Sequence, residues 1–116
     1  VTVGVMDSGI QADHPDLKNR ISTAGLHRDF TVEPTKTVSN AELVDPNGHG
    51  THVAGIIGAQ GNNKEGVSGV CWDVRLVSLR VFDEYGGSSS AYIASNSLCC
   101  KRKYSYSESQ WRGVYI

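Results

Sequence analysis

Residues 47–58 read NGHGTHVAGIIG, and this stretch decides which fold the rest of the chain can adopt. The four residues from Asp45 to Gly48 predict a turn, because proline fixes φ while asparagine and glycine tolerate positive φ. The run rich in valine, alanine and isoleucine that follows predicts a helix buried on most sides. His49 would lie at the positive N-terminal end of that helix, which disfavours an imidazolium. A histidine that accepts a proton there needs a carboxylate opposite it.

Asp7 is the candidate for that carboxylate. It follows Val1–Met6, an apolar run with valine at alternate positions, which predicts a buried strand of a parallel sheet. Asp7 then falls at the carboxyl end of the strand, where catalytic and ligand-binding groups collect in open α/β sheets. The alternative is an aspartate that only caps the turn at Asp7-Ser8-Gly9. That alternative weakens once the second motif, around His49, is taken into account.

The two motifs together resemble the subtilisin-like serine peptidases, the subtilase family. Asp7–Ile10 reads DSGI and His14–Leu17 reads HPDL, as in the family's aspartate motif. His49–Gly55 reads HGTHVAG, as in its histidine motif, and the two occur in the family's order. The resemblance runs from Val1 to about Ser95. It implies an α/β fold, the incomplete N-terminal part of a parallel-sheet sandwich with helices on both faces.

The resemblance also implies a serine endopeptidase that hydrolyses polypeptide substrates through an Asp/His/Ser triad. Asp7 would orient the ring of His49, and His49 would act as general base. His52, one helical turn further on, is expected to pack internally. No segment of the G-T-S-M-A type, which carries the family's nucleophile, occurs in this sequence. We therefore predict that the chain is inactive alone, and a non-catalytic fragment or interaction module is the alternative function.

The segment from residue 74 to residue 94 combines a strand, a loop and the start of a helix. Val74–Phe82 is β-branched and apolar enough for a second buried strand, and a helix is expected to begin at Ala91. Between them, the composition of residues 83–90 predicts a flexible loop. The resemblance implies that Gly86, Gly87 and Ser88 form an edge that pairs with the substrate backbone. Such recognition suits an endopeptidase, because main-chain hydrogen bonds do not depend on side-chain identity.

A structural calcium is the one cofactor that the resemblance implies, and none is required for the chemistry. Asp16 and Asn63 would supply side-chain oxygens, and carbonyl oxygens would come from Gly61, Glu65 and Val67. A loop rich in glycine and asparagine suits this role, because hard cations prefer oxygen ligands. The alternative is a loop of the same composition that binds no metal.

Residues 19–46 have mixed polarity and no sustained period, so they predict loops with one short strand near Phe30. The polar tract from Thr31 to Asn40 resembles a variable surface insertion. The three cysteines, Cys71, Cys99 and Cys100, are odd in number and lack metal-ligand spacing, so we expect buried or incidental thiols.

The formal net charge of −1 gives no electrostatic reason to expect nucleic acid or an anionic membrane as a partner. No run of 18 apolar residues is present, so no membrane span is expected. The resemblance implies a secreted or cell-envelope location. A nucleotide site is disfavoured, because Gly48, Gly50 and Gly55 do not have G-x-G-x-x-G spacing. Zinc binding by His49-x-x-His52 is disfavoured too, since the glutamate of H-E-x-x-H is absent.

Residues 96–116 depart from the pattern of the family. They are polar and aromatic with no helical or strand period, and Lys101-Arg102-Lys103 is too short a basic run to favour a lipid- or nucleic-acid-binding tail. Permitted codons for Cys99–Gly113, read one nucleotide later, encode Ala-Ala-Lys-Glu-Asn-Ile-Pro-Ile-Leu-Asn-Leu-Ser-Gly-Gly. That is a helix end, an apolar strand and an N-x-S-G-G terminus, as the family has. We therefore predict a peptidase portion at 1–95 and an aberrant, frameshifted tail at 96–116, with a real variant terminus as the alternative.

Overall fold

The computed structural model describes the backbone of residues 1–105 and 111–114. Its strands are β1 (Thr2–Asp7), β2 (Arg28–Asp29), β3 (Glu33–Thr37), β4 (Arg75–Arg80), β5 (Phe82–Asp83), β6 (Gly86–Gly87) and β7 (Trp111–Val114). The helices are α1 (His49–Gly58) and α2 (Ser89–Ser105), with a short 3-10 helix at Asn40–Glu42. No helix in this described part of the chain is long and apolar enough to cross a membrane.

The main sheet has the strand order β3-β2-β4-β1-β7. Strand β1 pairs in parallel with β4, and Asp7 at its carboxyl end lies opposite Arg80. Strand β2 is parallel to β4 and β7 is parallel to β1, whereas the edge strand β3 is antiparallel to β2. The predicted parallel sheet is therefore confirmed, with one antiparallel edge strand added.

The two helices pack on opposite faces of this sheet. Val3 and Val5 of β1 belong to the same buried cluster as Val53 and Ala54 of α1. Met6 belongs to a second cluster, which includes Val77 and Leu79 of β4 and Ala91 and Cys99 of α2. Successive residues of a strand point to opposite faces, so the two clusters lie on either side of the sheet. The prediction of helices on both faces is confirmed.

Helix α1 is less buried than its composition predicted. Gly50, Val53, Ala54 and Gly58 are buried, but Ile56 is 55% exposed. The prediction of a helix buried on most sides was wrong, because the sheet covers only one of its faces. His52 is likewise exposed and does not pack internally as expected.

Two segments without apolar periodicity form regular structure. Strand β3 lies within the tract from Thr31 to Asn40, where we predicted a surface insertion, and it pairs with β2 through the backbone. Its described side chains are exposed, so the tract shows no alternating pattern. Helix α2 continues to Ser105, through residues that also lack a helical period. Of the predicted tail, residues 106–110 and 115–116 lie outside the described residues, and the frameshift stays a prediction.

Candidate active site

Asp7 and His49 meet at the carboxyl end of β1. Nδ1 of His49 lies 2.9 Å from both carboxylate oxygens of Asp7, a contact between residues 42 positions apart in the chain. The Asp7 side chain is 3% exposed and that of His49 is 57% exposed. A buried carboxylate therefore holds one ring nitrogen of a histidine whose other face is open to solvent. Since Nδ1 is engaged, Nε2 is the nitrogen available for proton exchange with another group.

Ser8 ties this carboxylate to the first turn of α1. Its N–H donates to Oδ1 of Asp7 at 2.7 Å, and its hydroxyl oxygen accepts from the N–H of Gly50 at 2.9 Å. Nε of Arg80, on the neighbouring strand, donates to the carbonyl of Ser8 at 3.1 Å. The turn that follows β1 is thus fixed from both the helix side and the sheet side.

The close approach of helix and turn depends on two glycines. A Cβ on Gly50 would lie 2.1 Å from the carbonyl oxygen of Gly9. Gly9 itself has φ of +124°, and a Cβ there would lie 2.0 Å from the carbonyl oxygen of Val44. A side chain at Gly50 would separate α1 from the end of β1, and a side chain at Gly9 would displace the segment at Val44 and Asp45.

The environment raises the pKa of His49 above its ordinary value of 6.5. The main cause is the hydrogen bond to Asp7, followed by the charge of Asp7, with a smaller contribution from the charge of Asp45. The N-terminus of α1 disfavours an imidazolium, as expected from the sequence. The nearby carboxylates outweigh it, and the arrangement suits a histidine that takes a proton and stays charged for part of a reaction.

Gly86, Gly87 and Ser88 lie between strand β4 and helix α2. Gly86–Gly87 forms strand β6, which pairs antiparallel with β5 as an exposed hairpin rather than the flexible loop predicted by composition. The hairpin begins directly after Val81, whose N–H donates to the carbonyl of Asp7 at 2.9 Å. The hydroxyl of Ser88 accepts from the N–H of Ala91 at 3.2 Å, which caps the first turn of α2. Contact with a substrate at these residues stays a prediction.

Asp16 and Asn63, the predicted calcium ligands, are also brought together. Nδ2 of Asn63 donates to Oδ1 of Asp16 at 2.7 Å, and the N–H of Val67 donates to Oδ2 at 2.9 Å. Asp16 is 3% exposed. The hydrogen bond from Asn63, then that from Val67, lowers the pKa of Asp16 below 3.8, so the carboxylate is ionised at neutral pH.

Asp16 has the charge and the oxygen atoms that calcium prefers, but in this structure both of its oxygens accept from N–H groups, and Oδ1 of Asn63 accepts from the N–H of Glu65 at 3.3 Å. Residues 61–68 line a cavity of about 290 Å³ beside the carboxylate. A Cβ on Gly66 would lie 1.7 Å from Oδ2 of Asp16, so the loop wraps closely around the charge. Among the described residues, no three histidine, cysteine or acidic side chains are grouped so that they could hold a metal ion.

His52 lies on the outward face of α1. With His14, Ile56, Val67 and Val70 it lines part of a pocket of about 450 Å³ between the helix and the loop around Asp16. The pocket does not include Asp7 or His49. Exposure of His52 follows from the side of α1 that the sheet leaves uncovered.

Sequence reasoning missed Asp45, Thr51 and Arg80. Asp45 was assigned only to a turn, although an acidic residue just before a helix is a recognised capping signal. Arg80 lies among apolar residues in β4, and a charged residue at the end of a buried strand indicates a specific partner. Its Nη1 lies 3.0 Å from Oδ2 of Asp29, and both side chains are largely buried. No motif in the sequence predicts that pairing.

Comparison with known proteins identifies the family. The sequence model of the subtilase family (Peptidase_S8) matches residues 1–102. The chain belongs to the subtilase family. Its match extends seven residues beyond Ser95, where the resemblance by motif ended, and the fold and the Asp7–His49 contact accord with it.

Individual subtilases match over most of this chain but only part of their own length. A subtilisin from Bacillus sp. (strain TA39) is 38% identical over 82% of this chain and 21% of that protein. An intracellular serine protease from Paenibacillus polymyxa is 42% identical over 80% of this chain and 27% of that protein. A cell wall-associated protease from Bacillus subtilis (strain 168) is 33% identical over 79% of this chain and 10% of that protein.

A solved protease structure also matches most of this chain over only part of its own length. The structure titled S41 psychrophilic protease has a TM-score of 0.71 and 30% identity, covering 88% of this chain and 32% of that chain. This chain therefore spans less than a third of the subtilases that it matches.

Proposed function

We propose that the protein to which this chain belongs is a serine endopeptidase, and that Asp7 and His49 are two members of its catalytic triad. The observation that supports this most strongly is the pair of 2.9 Å contacts between Nδ1 of His49 and the buried carboxylate of Asp7. A carboxylate so placed fixes the tautomer and the orientation of the ring. It also stabilises the imidazolium that forms during the reaction.

In the proposed mechanism, Nε2 of His49 takes the proton of a serine hydroxyl as the serine oxygen bonds to the peptide carbonyl carbon. The protonated ring then gives this proton to the leaving amine as the C–N bond breaks. Water then attacks the carbonyl carbon of the acyl-enzyme while Nε2 of His49 takes its proton. The protonated ring gives that proton to the serine oxygen as the acyl C–O bond breaks, which releases the acid product. The nucleophilic serine is supplied by residues that this sequence does not contain.

The labelling of an active-site serine tests this function. The natural full-length protein should react with a fluorophosphonate probe, and the variants Asp7→Asn and His49→Ala should react far more slowly. The 116-residue polypeptide alone should not react, since it has no G-T-S-M-A-type segment. Rapid labelling of the His49→Ala variant would contradict the proposed role of the histidine.

Polypeptide substrates would bind along β6. Two observations support this binding mode. Gly86 and Gly87 are exposed, and the hairpin that contains them begins directly after Val81, whose N–H donates to the carbonyl of Asp7. An added strand requires an edge free of side-chain obstruction, which two glycines provide. Gly87→Pro removes a backbone donor from that edge, so it should raise KM for a peptide more than it changes the rate of probe labelling.

A calcium ion held by Asp16 and Asn63 would stabilise the loop at residues 61–68 without taking part in the chemistry. The support is the buried, ionised carboxylate and the loop rich in glycine and asparagine that covers it. We place the protein outside the cytoplasm, secreted or at the cell envelope, as the cell wall-associated relative suggests. The intracellular relative makes fractionation of the native cells the deciding measurement.

A further inference from the structure

Asp45 makes four hydrogen bonds to three different parts of the chain. Its Oδ1 accepts from the hydroxyl of Ser8 at 2.7 Å and from the N–H of Gly48 at 3.0 Å. Its Oδ2 accepts from the N–H of Thr51 at 2.9 Å and from the hydroxyl of the same residue. Both oxygens of the carboxylate are therefore used: Oδ1 binds the turn after β1 and the N-cap of α1, and Oδ2 binds the first turn of α1.

The contact with Ser8 reaches across 37 positions to the turn that follows β1. Because the Ser8 hydroxyl donates to Asp45, its oxygen is oriented to accept from the N–H of Gly50 at 2.9 Å. The N–H of the same serine donates to Asp7. A continuous path of hydrogen bonds thus runs from Asp45 through Ser8 to the Asp7 carboxylate.

The contact between Asp45 and Thr51 holds the first turn of α1, which carries His49. Thr51 is in the first turn of α1, two residues after His49, and its hydroxyl oxygen also accepts from the N–H of Gln11 at 3.0 Å. The helix start that carries His49 and the strand end that carries Asp7 are consequently joined to one carboxylate. An ordinary helix cap would bind only the helix N-terminus.

We propose that Asp45 is a positioning residue, which sets the distance between Asp7 and His49 by clamping Ser8 and the first turn of α1 together. This inference rests on the proposed function for its consequence in catalysis, but the clamp itself is independent of it. Burial raises the pKa of the Asp45 carboxyl, and the hydrogen bonds from Thr51, Ser8 and Gly48 outweigh burial and lower it overall. The clamp is therefore charged at neutral pH.

The test must separate positioning from simple charge. The charged groups around the site are Asp7 on β1, Asp45 before α1 and Arg80 on β4, which contacts Ser8. Asp45→Asn removes the charge and the acceptors of two donors. Ser8→Ala and Thr51→Val break the clamp and keep the charge. Glu42→Gln is the matched control, since Glu42 is a nearby carboxylate whose hydrogen bonds are to Ser39 alone.

The readout is the His49 ring in the natural full-length protein labelled at histidine, followed by NMR across pH. In Asp45→Asn the ring proton at Nδ1 should exchange with solvent at least about fivefold faster, the change expected from losing one hydrogen bond. The pKa of His49 should fall, and the loss in kcat/KM should lie in kcat. Ser8→Ala and Thr51→Val should show the same changes in smaller degree, and Glu42→Gln should match the wild type.

The proposal is overturned if Ser8→Ala and Thr51→Val leave ring exchange and the His49 pKa at wild-type values, because Asp45 would then act only as a charge. If Asp45→Asn does not fold, these two variants decide the question. Asp7→Asn separates this proposal from the proposed function. If that variant leaves His49 unchanged, the catalytic pairing itself fails, whatever Asp45 does.

Discussion

Asp7 and Asp16 are two carboxylates of nearly equal burial, at 2% and 3% exposure, whose hydrogen-bond partners differ. Asp7 faces the ring of His49, a group that changes charge near neutral pH. Asp16 faces an amide and a backbone N–H, neither of which titrates. The first carboxylate therefore acts on the pKa of its partner, and the second experiences a shift in its own pKa.

The position of each carboxylate in the fold determines which role it can take. Asp7 lies at the end of a strand hydrogen-bonded on both sides, which suits a group that must keep its geometry while a proton moves. Asp16 lies in a turn and is covered by the loop at residues 61–68, where we propose a calcium ion. Exposure alone would not distinguish them.

The same substitution at the two sites should give the largest contrast. In the natural full-length protein, Asp7→Asn should lower kcat by about four orders of magnitude, the loss measured for this change in a serine peptidase of another fold. Asp16→Asn should leave kcat near wild type, since it does not contact the histidine. Peptide hydrolysis by both variants, at matched folded fractions, measures this. Comparable losses of kcat in the two variants would end the distinction between the sites.

A glycine pair in α1 tests how closely the helix must approach Asp7. Gly50→Ala places a Cβ 2.1 Å from the carbonyl oxygen of Gly9 and 3.1 Å from Cβ of Asp7. It should lower the free energy of unfolding by about 3 kcal/mol through overpacking. Gly55→Ala is the control in the same helix, where a Cβ meets nothing within 4 Å. It should raise the stability by about 0.5–1 kcal/mol, and denaturant melts of both variants compare them.

Removal of calcium should affect only the Asp16 site. With calcium about 100-fold above its Kd, binding should add roughly 2.7 kcal/mol to the stability, and a chelator should remove this gain. Asp16→Asn should melt at the same temperature with and without the chelator, whereas Asp7→Asn should respond like the wild type. Thermal melts in calcium and in chelator give the answer. An unchanged wild-type Tm would exclude a structural calcium at this loop.

The two sites should also lose stability at opposite ends of the pH range, with smaller effects. The pKa of His49 is raised above 6.5, so the stability from its pairing with Asp7 is complete below 6.5 and is lost as pH rises through the raised pKa. The pKa of Asp16 is lowered below 3.8, so its contribution is present above 3.8 and is lost as pH falls through the lowered pKa. Unfolding free energies should be measured across pH. The loss of stability at high pH should disappear in His49→Gln, and the loss at low pH should disappear in Asp16→Asn. If either loss of stability persists in the variant that should remove it, that loss comes from the titration of another group.

The sequence predicted the parts of the fold that carry motifs or apolar periodicity. Strand β1, helix α1 and the meeting of Asp7 with His49 followed from such patterns, and the helices on both faces were implied by the family resemblance. Strand β3 did not, because it is held by backbone pairing at an exposed edge. His27 gave no signal either, although it is fully buried and its ring bridges the carbonyl of Ser22 and the N–H of Ser78. Contacts that depend on the tertiary arrangement leave no local pattern.

The predicted frameshift near Ser95 concerns the gene rather than the fold, and nucleotide sequencing across the codons for Tyr92 to Ile116 tests it. A gained or lost base should restore the N-x-S-G-G terminus in the corrected frame. One uninterrupted frame with incompatible codons would reject the frameshift and support a real variant terminus.

The position of β4 in the sheet has a consequence for synthesis on the ribosome. Strand β1 is synthesised well before its neighbour β4, which begins only at Arg75, and β2 also pairs with β4. Until β4 emerges, neither early strand has its place in the sheet, and the apolar side chains of β1 stay exposed to other chains. The nascent polypeptide must therefore wait for most of these residues before the Asp7 carboxylate is fixed, and aggregation competes during that interval.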